Sequence, residues 1–215
     1  MSTPVKPSTA GEGAEELRSL AELVLFLSTC FLDGPNEEKH AVLSDPEWLA
    51  ALLQSGILGV EPAARAVDLP DHRRRFEELL RIPGDHFVSP FEQGYHERKA
   101  TVEFSAPVAC EQLYRRAGYV REPYATVEAD HIGHQLRFLS ALLQRYAGKL
   151  EEDDDQGAPV VLTWIRGFFN DRCWWWPSFS GRLLESDLPL ELEAAVRLLD
   201  GVRACVEELV QENEA

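Results

Sequence analysis

The sequence has no long apolar run. Its longest, Leu23-Val24-Leu25-Phe26-Leu27, falls far short of the roughly 20 residues that cross a bilayer, so no membrane insertion is expected. Cysteine is scarce. Cys30, Cys110, Cys173 and Cys205 stand far apart and no C-x-x-C pair occurs, which excludes a zinc ribbon and a thioredoxin-type redox motif. Met1 to Gly13 is rich in Ser, Thr, Pro and Gly with a single Lys. It lacks the basic stretch and apolar core of a signal peptide, so a cytoplasmic location with reduced thiols is expected. Positive charge is also short: 21 Lys and Arg face 37 Asp and Glu, a formal charge of −16. Such a surface repels nucleic acid and anionic lipid and draws a basic partner. The sequence lacks a G-x-S-x-G elbow, a Walker loop, a G-x-G-x-x-G turn and a cysteine near a predicted catalytic histidine, so nothing in it reads as bond-making machinery. Strand-like alternation is missing too.

Helical periodicity fills that gap. At 45% hydrophobic and 27% charged residues over 215 positions, the chain suits one substantial soluble domain. Residues 1–13 read as a disordered tail and 14–215 as an all-α, single-domain helical bundle. Leu17, Leu20, Leu23, Val24, Leu27 and Phe31 recur at steps of three and four, and Asp33-Gly34-Pro35-Asn36 ends that helix. Ser44-Asp45-Pro46-Glu47 opens another, running to Gly56. A short helix is expected over Pro62–Val67, and one capped by Asp71 that ends at Pro83-Gly84. Residues 83–106 read as a long irregular loop of the functional kind. A helix follows from about Pro107 to Ala117, then an extended link over 119–126 between two helical halves. The longest helix is expected to begin at Thr126 or Val127, with Ile132, Leu136, Leu139, Leu143 and Tyr146 on one face. Further helices are expected near Pro159–Phe169 and Pro189–Gln211, with the run Trp174-Trp175-Trp176-Pro177 between them.

Two segments concentrate chemistry. Glu128-Ala129-Asp130-His131 crowds carboxylates and an imidazole at the expected start of the longest helix. Ser89-Pro90-Phe91-Glu92-Gln93-Gly94-Tyr95 joins a rigid proline to apolar rings and a carboxylate. Metal is one reading. Glu128-x-x-His131 has the i, i+3 spacing that di-iron carboxylate bundles use, and Glu37-x-x-His40 repeats it. His131-x-x-His134 is a zinc pair without an evident third ligand, and Asp130 with His134 is also an i, i+4 ion pair. Recognition is the other reading. Phe76, Leu79 and Leu80, on the helix before the loop, would form one wall of an apolar groove with an acidic rim, suited to a peptide basic at one end and greasy along its length. Taken singly, ordinary core packing is the simpler account of each of those three.

The segment Glu128-Ala129-Asp130-His131 resembles the E-x-D-H signature of the TorD/DmsD/NarJ family, cytoplasmic chaperones that mature molybdenum-containing redox enzymes. Ser89 to Tyr95 resembles that family's S-P-[aromatic or Pro]-x-S-V-[aromatic] segment, with Gln93-Gly94 where Ser-Val is common. Leu188-Pro189-Leu190-Glu191 stands where many members have His-Pro-Phe-Tyr, and the three consecutive tryptophans are unusual. The resemblance spans about Ala14 to Leu209. It implies an all-α, TorD-like, non-enzymatic chaperone that binds the N-terminal, twin-arginine leader of a molybdoenzyme catalytic subunit and assists cofactor insertion before export. Contact with twin-arginine translocation or cofactor-biosynthesis proteins, and exchange of helical halves between protomers, are further family traits. The expected state is a monomer or a swapped dimer. No cofactor of its own is expected, beyond a transient contact with molybdopterin during client loading.

On this reading Glu128 and Asp130 accept the leader arginines, because a guanidinium fork matches a carboxylate bidentately. Phe91, Tyr95, Phe76, Leu79 and Leu80 receive the apolar part, and Ser89 and Pro90 of the same loop also count among the peptide-binding residues. His131 orients the neighbourhood of Asp130 and makes binding sensitive to pH near neutrality. The competing reading is a helical, di-iron-type protein built on Glu128 and His131.

Overall fold

A computed structural model of the chain describes residues 10–96, 105–121 and 127–212. Among them it is helical, with no strand and one isolated antiparallel bridge, Phe91 to His131. The helices are α1 (Ala10–Asp33), α2 (Glu37–Leu43), α3 (Pro46–Gln54), α4 (Leu69–Leu80), α5 (Ala106–Arg116), α6 (Ile132–Glu151), α7 (Gly157–Arg172), α8 (Trp176–Leu184) and α9 (Leu190–Glu212), with a 3₁₀ turn at Glu92–Tyr95.

The apolar periodicities explain the packing. In α6 the expected face of Ile132, Leu136, Leu139, Leu143 and Tyr146 is buried, and so are Phe138 and Leu142 on other faces. A helix buried nearly all round is a core element, and α6 is the central one. It lies along α1 in the most extensive helix pair and also packs on α7, while α9 gathers α1, α2, α4, α7 and α8. The α1–α6 approach is close because Gly133 sits against Ser28 and Leu32 of α1. One polar tie crosses the pair within the core: Ser140 Oγ donates to the Ala21 carbonyl at 2.8 Å.

The chain breaks fall where capping chemistry puts them. Gly34, Gly56 and Gly118 all have positive φ, the left-handed conformation that glycine adopts without Cβ strain at a helix end. Asp45 caps α3 by accepting from Glu47 and Trp48 N–H. The next cap is Asp68, which accepts from Asp71 N–H, so α4 starts a turn earlier than an Asp71 cap implies. Residues 62–67 are not helical. Glu193 of α9 accepts the backbone N–H groups of Ala63 and Ala64 at 2.7–3.1 Å and pins the segment as an irregular strap with a bend at Ala64. α1 already runs from Ala10, where the sequence placed the domain boundary at Ala14. The rest of the expected tail, residues 1–9, and 122–126 of the expected link lie outside the described residues.

Candidate functional site

The two motif segments meet. The Ile132 N–H donates to the Pro90 carbonyl at 2.8 Å, and the Glu92 N–H donates to the Asp130 carbonyl at 3.1 Å. This short ladder is the Phe91–His131 bridge, and Phe91 meets the His131 ring edge-on at 5.0 Å. The Ser-Pro-Phe loop is thereby fixed to the mouth of the central helix.

α6 begins at Ile132, with His131 as its N-cap, not at Thr126 or Val127. His131 Nδ1 accepts the Gly133 N–H at 3.1 Å, a job that needs an unprotonated nitrogen. Burial pushes its pKa down to about 3, helped by the nearby His134 and Arg81. This corrects the expected switch near neutrality: His131 stays neutral there and serves as a cap. The same start overturns the di-iron geometry, since Glu128 and His131 share no helical face when neither lies inside a helix. His134 is likewise buried, its pKa lowered to about 4 by desolvation and then by Arg121 and Arg137. No Asp130–His134 ion pair forms among the described residues.

Asp130 is 1% exposed. Its Oδ2 accepts the Gln93 N–H at 2.9 Å, while Oδ1 has no hydrogen-bond partner among the described residues. Desolvation raises its pKa to about 6 against the pull of the Gln93 N–H. The carboxylate expected at the surface instead holds the 3₁₀ turn from inside. Phe76, Leu79 and Leu80 are core residues of α4. The structure corrects the expectation that they present an open wall: α4 buries them in the core and leaves the charged Arg73 and Arg74 exposed.

Glu128 is different. It is exposed and lines an open groove of about 440 Å³ between α5 and residues 127–129. Pro107, Val108 and Ala129 give apolar lining, and Glu111, Arg115 and Arg121 give charge. Glu111 is already paired with Arg115 and Arg121, each at 3.2 Å. Arg121 also donates to the Val127 carbonyl at 2.6 Å and so ties the Glu128 segment to α5. Glu128 has no ion pair among the described residues. Ser89, Phe91 and Tyr95 are half-buried and Pro90 is buried. The Tyr95 hydroxyl donates to the Ser89 carbonyl at 3.0 Å, its ring lies 4.9 Å from Trp175, and Arg182 covers the ring at 4.9 Å. Desolvation lifts its phenol to about 12.

Behind the loop lies a polar core that sequence reasoning missed. Glu92 is fully buried and accepts from Arg172 at 3.0 Å, His96 at 3.1 Å and the Gln135 amide at 2.7 Å. The amide oxygen of Gln135 in turn accepts both indole N–H groups, from Trp175 at 3.1 Å and Trp176 at 2.8 Å. A buried carboxylate persists only where it is paired and hydrogen-bonded, and here those partners bind the loop, α6, α7 and the start of α8 into one unit. The sequence signal was the tryptophan run itself: two buried indoles require acceptors, and Gln135 lies four residues after the Glu128–His131 motif. Trp174, the first of the run, is 45% exposed and meets the His96 ring edge-on at 5.0 Å.

A family model described as nitrate reductase delta subunit matches residues 44–180, more than half of the chain, including both motif segments and the groove. The chain belongs to that family. It is a NarJ/TorD-type chaperone family rather than a family of catalysts, and it serves molybdoenzyme maturation. No curated protein and no solved structure matches the chain. Membership agrees with the helical fold. Among the described residues no helix is long and apolar enough to cross a membrane.

Proposed function

We propose that the groove between α5 and residues 127–129 holds the N-terminal, twin-arginine-type leader of a molybdoenzyme catalytic subunit. The chain escorts that subunit in the cytoplasm until molybdopterin is inserted, touching the cofactor only in passing, and then hands the client on to translocation or cofactor-supplying proteins. The observation that carries the reading is Glu128: an exposed carboxylate without an ion-pair partner among the described residues, at the edge of a groove whose other acidic residue, Glu111, is already paired. Glu128 accepts the leader guanidinium. Pro107 and Val108, the latter 39% exposed, take the apolar stretch beside it.

The remaining motif residues act from behind. Asp130 fixes the Gln93 turn, His131 caps α6, and the Ser89–Tyr95 loop, bridged to residues 130–132, holds the Glu128 segment in place from outside the groove lining. Phe76, Leu79 and Leu80 belong to the core and not to the groove lining. Rigidity matters because a preformed site avoids ordering costs when a flexible leader binds. The net charge of −16 speeds the encounter with a cationic leader.

The experiment is calorimetric titration of the full chain with a synthetic peptide carrying an arginine pair followed by an apolar stretch. Glu128→Gln removes a contact of roughly 1–2 kcal/mol, between an exposed ion pair and a desolvated charge-assisted bond, which weakens binding about 5- to 30-fold. Unchanged affinity in that variant rules Glu128 out as the acceptor.

A further inference from the structure

Away from the groove, three elements bring metal-ligating atoms to one point. His40 of α2, His72 of α4 and Glu191 in the first turn of α9 each offer an atom within 4.8 Å of the others. His40 Nδ1 lies 3.3 Å from His72 Nδ1 and 3.4 Å from Glu191 Oε1. Ligands bound tetrahedrally at the usual zinc–nitrogen and zinc–oxygen distances of about 2.0–2.1 Å are separated by roughly 3.3 Å. The two measured edges therefore have the size of a coordination tetrahedron.

The burial and bonding of these groups ask for a cation. Glu191 is fully buried, and neither of its carboxylate oxygens makes a well-formed hydrogen bond among the described residues. The Val67 N–H and its own N–H lend only weak support. A buried carboxylate left in that condition costs several kcal/mol unless a charge compensates it. His72 is 2% exposed, and burial with the neighbouring His40 lowers its pKa to about 4, so it carries a free lone pair at neutral pH. Two Nδ1 atoms facing each other share at most one proton, and the other must present its lone pair. Lys39, lining the same small cavity, is occupied elsewhere: its ammonium donates to the Thr29 and Gly34 carbonyls at 3.0 Å each and lies 3.6 Å from Asp33. The cavity, with His72, Glu191, Cys30 and Phe76 in its walls, holds about 10 Å³, room for one water-sized body.

We propose that His40 Nδ1, His72 Nδ1 and Glu191 Oε1 bind a single zinc-class divalent metal ion that ties α2 and α4 to the start of α9. Two imidazoles and one carboxylate suit zinc or cobalt over magnesium or calcium, which favour all-oxygen shells. The fourth position opens toward solvent on the side of His40, whose side chain is 21% exposed, and water fills it. The role is that of a clamp. α2, α4 and α9 pack on each other only modestly compared with α1 on α6, and a shared ion adds a bond that binds the folded state alone. This inference is separate from the leader groove in place and chemistry, so either can fail without the other.

The test uses the full chain, stripped with chelator and titrated with Zn²⁺ and, separately, Co²⁺. The expected results are one ion per chain, a rise in Tm on adding Zn²⁺, and for Co²⁺ the intense visible absorption of a four-coordinate site. His72→Gln and Glu191→Gln each weaken Zn²⁺ binding by at least tenfold, while His86→Ala, at an exposed histidine outside the cluster, binds like the parent. If the two buried variants fail to fold, His40→Ala decides, because its side chain lies at the surface end of the cluster. No stoichiometric Zn²⁺ in the parent chain, or parental affinity in His40→Ala, overturns the proposal.

Discussion

Gln135→Leu isolates the polar core at little change in volume. The Gln135 amide accepts two buried indole N–H groups through Oε1 and donates to Glu92 through Nε2. Leucine removes all three bonds and leaves Trp175 and Trp176 with no acceptor in their place, both fully buried. Glu92 keeps Arg172 and His96 but loses its shortest contact. A buried donor left unsatisfied costs roughly 1–3 kcal/mol, and the bond to a charged carboxylate contributes roughly 1.5–3 kcal/mol. Against this, burying leucine in place of a polar amide returns about 1–2 kcal/mol. The expected net destabilisation is about 3–5 kcal/mol, a large part of the 5–15 kcal/mol that holds an ordinary domain. Urea unfolding followed by tryptophan fluorescence measures it, and the folded-state emission should shift because two reporters lose their hydrogen bonds. A loss under about 1 kcal/mol would refute the claim that this network fastens the Ser-Pro-Phe loop to the bundle.

Three further outcomes follow. His131→Asn keeps a capping acceptor but removes a group whose folded pKa, about 3, lies below its unfolded value near 6.5. The histidine contributes stability that is present above pH 6.5 and lost as pH falls toward the folded value, so between pH 7 and pH 5 the urea midpoint of the variant should fall less than that of the parent. Asp130 has the opposite sign, its pKa raised to about 6. Its contribution is full below about pH 4 and fades as pH rises through 6, so Asp130→Asn should gain stability relative to the parent between pH 4 and pH 7, read from the same midpoints. Gly201→Ala drives a Cβ into the Ile57 carbonyl, backbone that cannot step aside, and should cost about 1–3 kcal/mol or more. Gly148→Ala meets nothing within 4 Å on α6 and should stabilise by up to about 1 kcal/mol; paired thermal melts compare the two.

The bundle was legible because its signals are local. The 3.6-residue apolar repeat of α1 and α6, the Asp45-Pro46 start of α3 and the stops at Gly34, Gly56 and Gly118 depend on a few neighbouring residues, and the structure has each of them. The errors arose where a distant residue decides. Residues 62–67 are held out of a helix by Glu193, some 130 positions away, through the Ala63 and Ala64 N–H groups, which local propensity does not register. The start of α6 slipped because residues 127–131 carry acidic groups typical of a first turn, yet their backbone is committed to pairing with Pro90 and Glu92. For the site, the sequence picked the two segments that meet but assigned their outer and inner residues together. Glu128 and Asp130 are two positions apart, and only the geometry of the bridge separates an exposed carboxylate from a buried one. Besides the local His96, the partners of Glu92 come from α6 and α7, and those of His40 from α4 and α9, combinations that no spacing rule encodes.

The central claim is that a basic-then-apolar leader rests between α5 and residues 127–129. Hydrogen–deuterium exchange of the full chain with and without a saturating arginine-pair peptide tests it most directly. The account predicts slowed exchange over residues 107–112 and 127–131 with little change along α9. Tight binding that instead protects α7 or α9 and leaves 107–112 and 127–131 unaltered would contradict it.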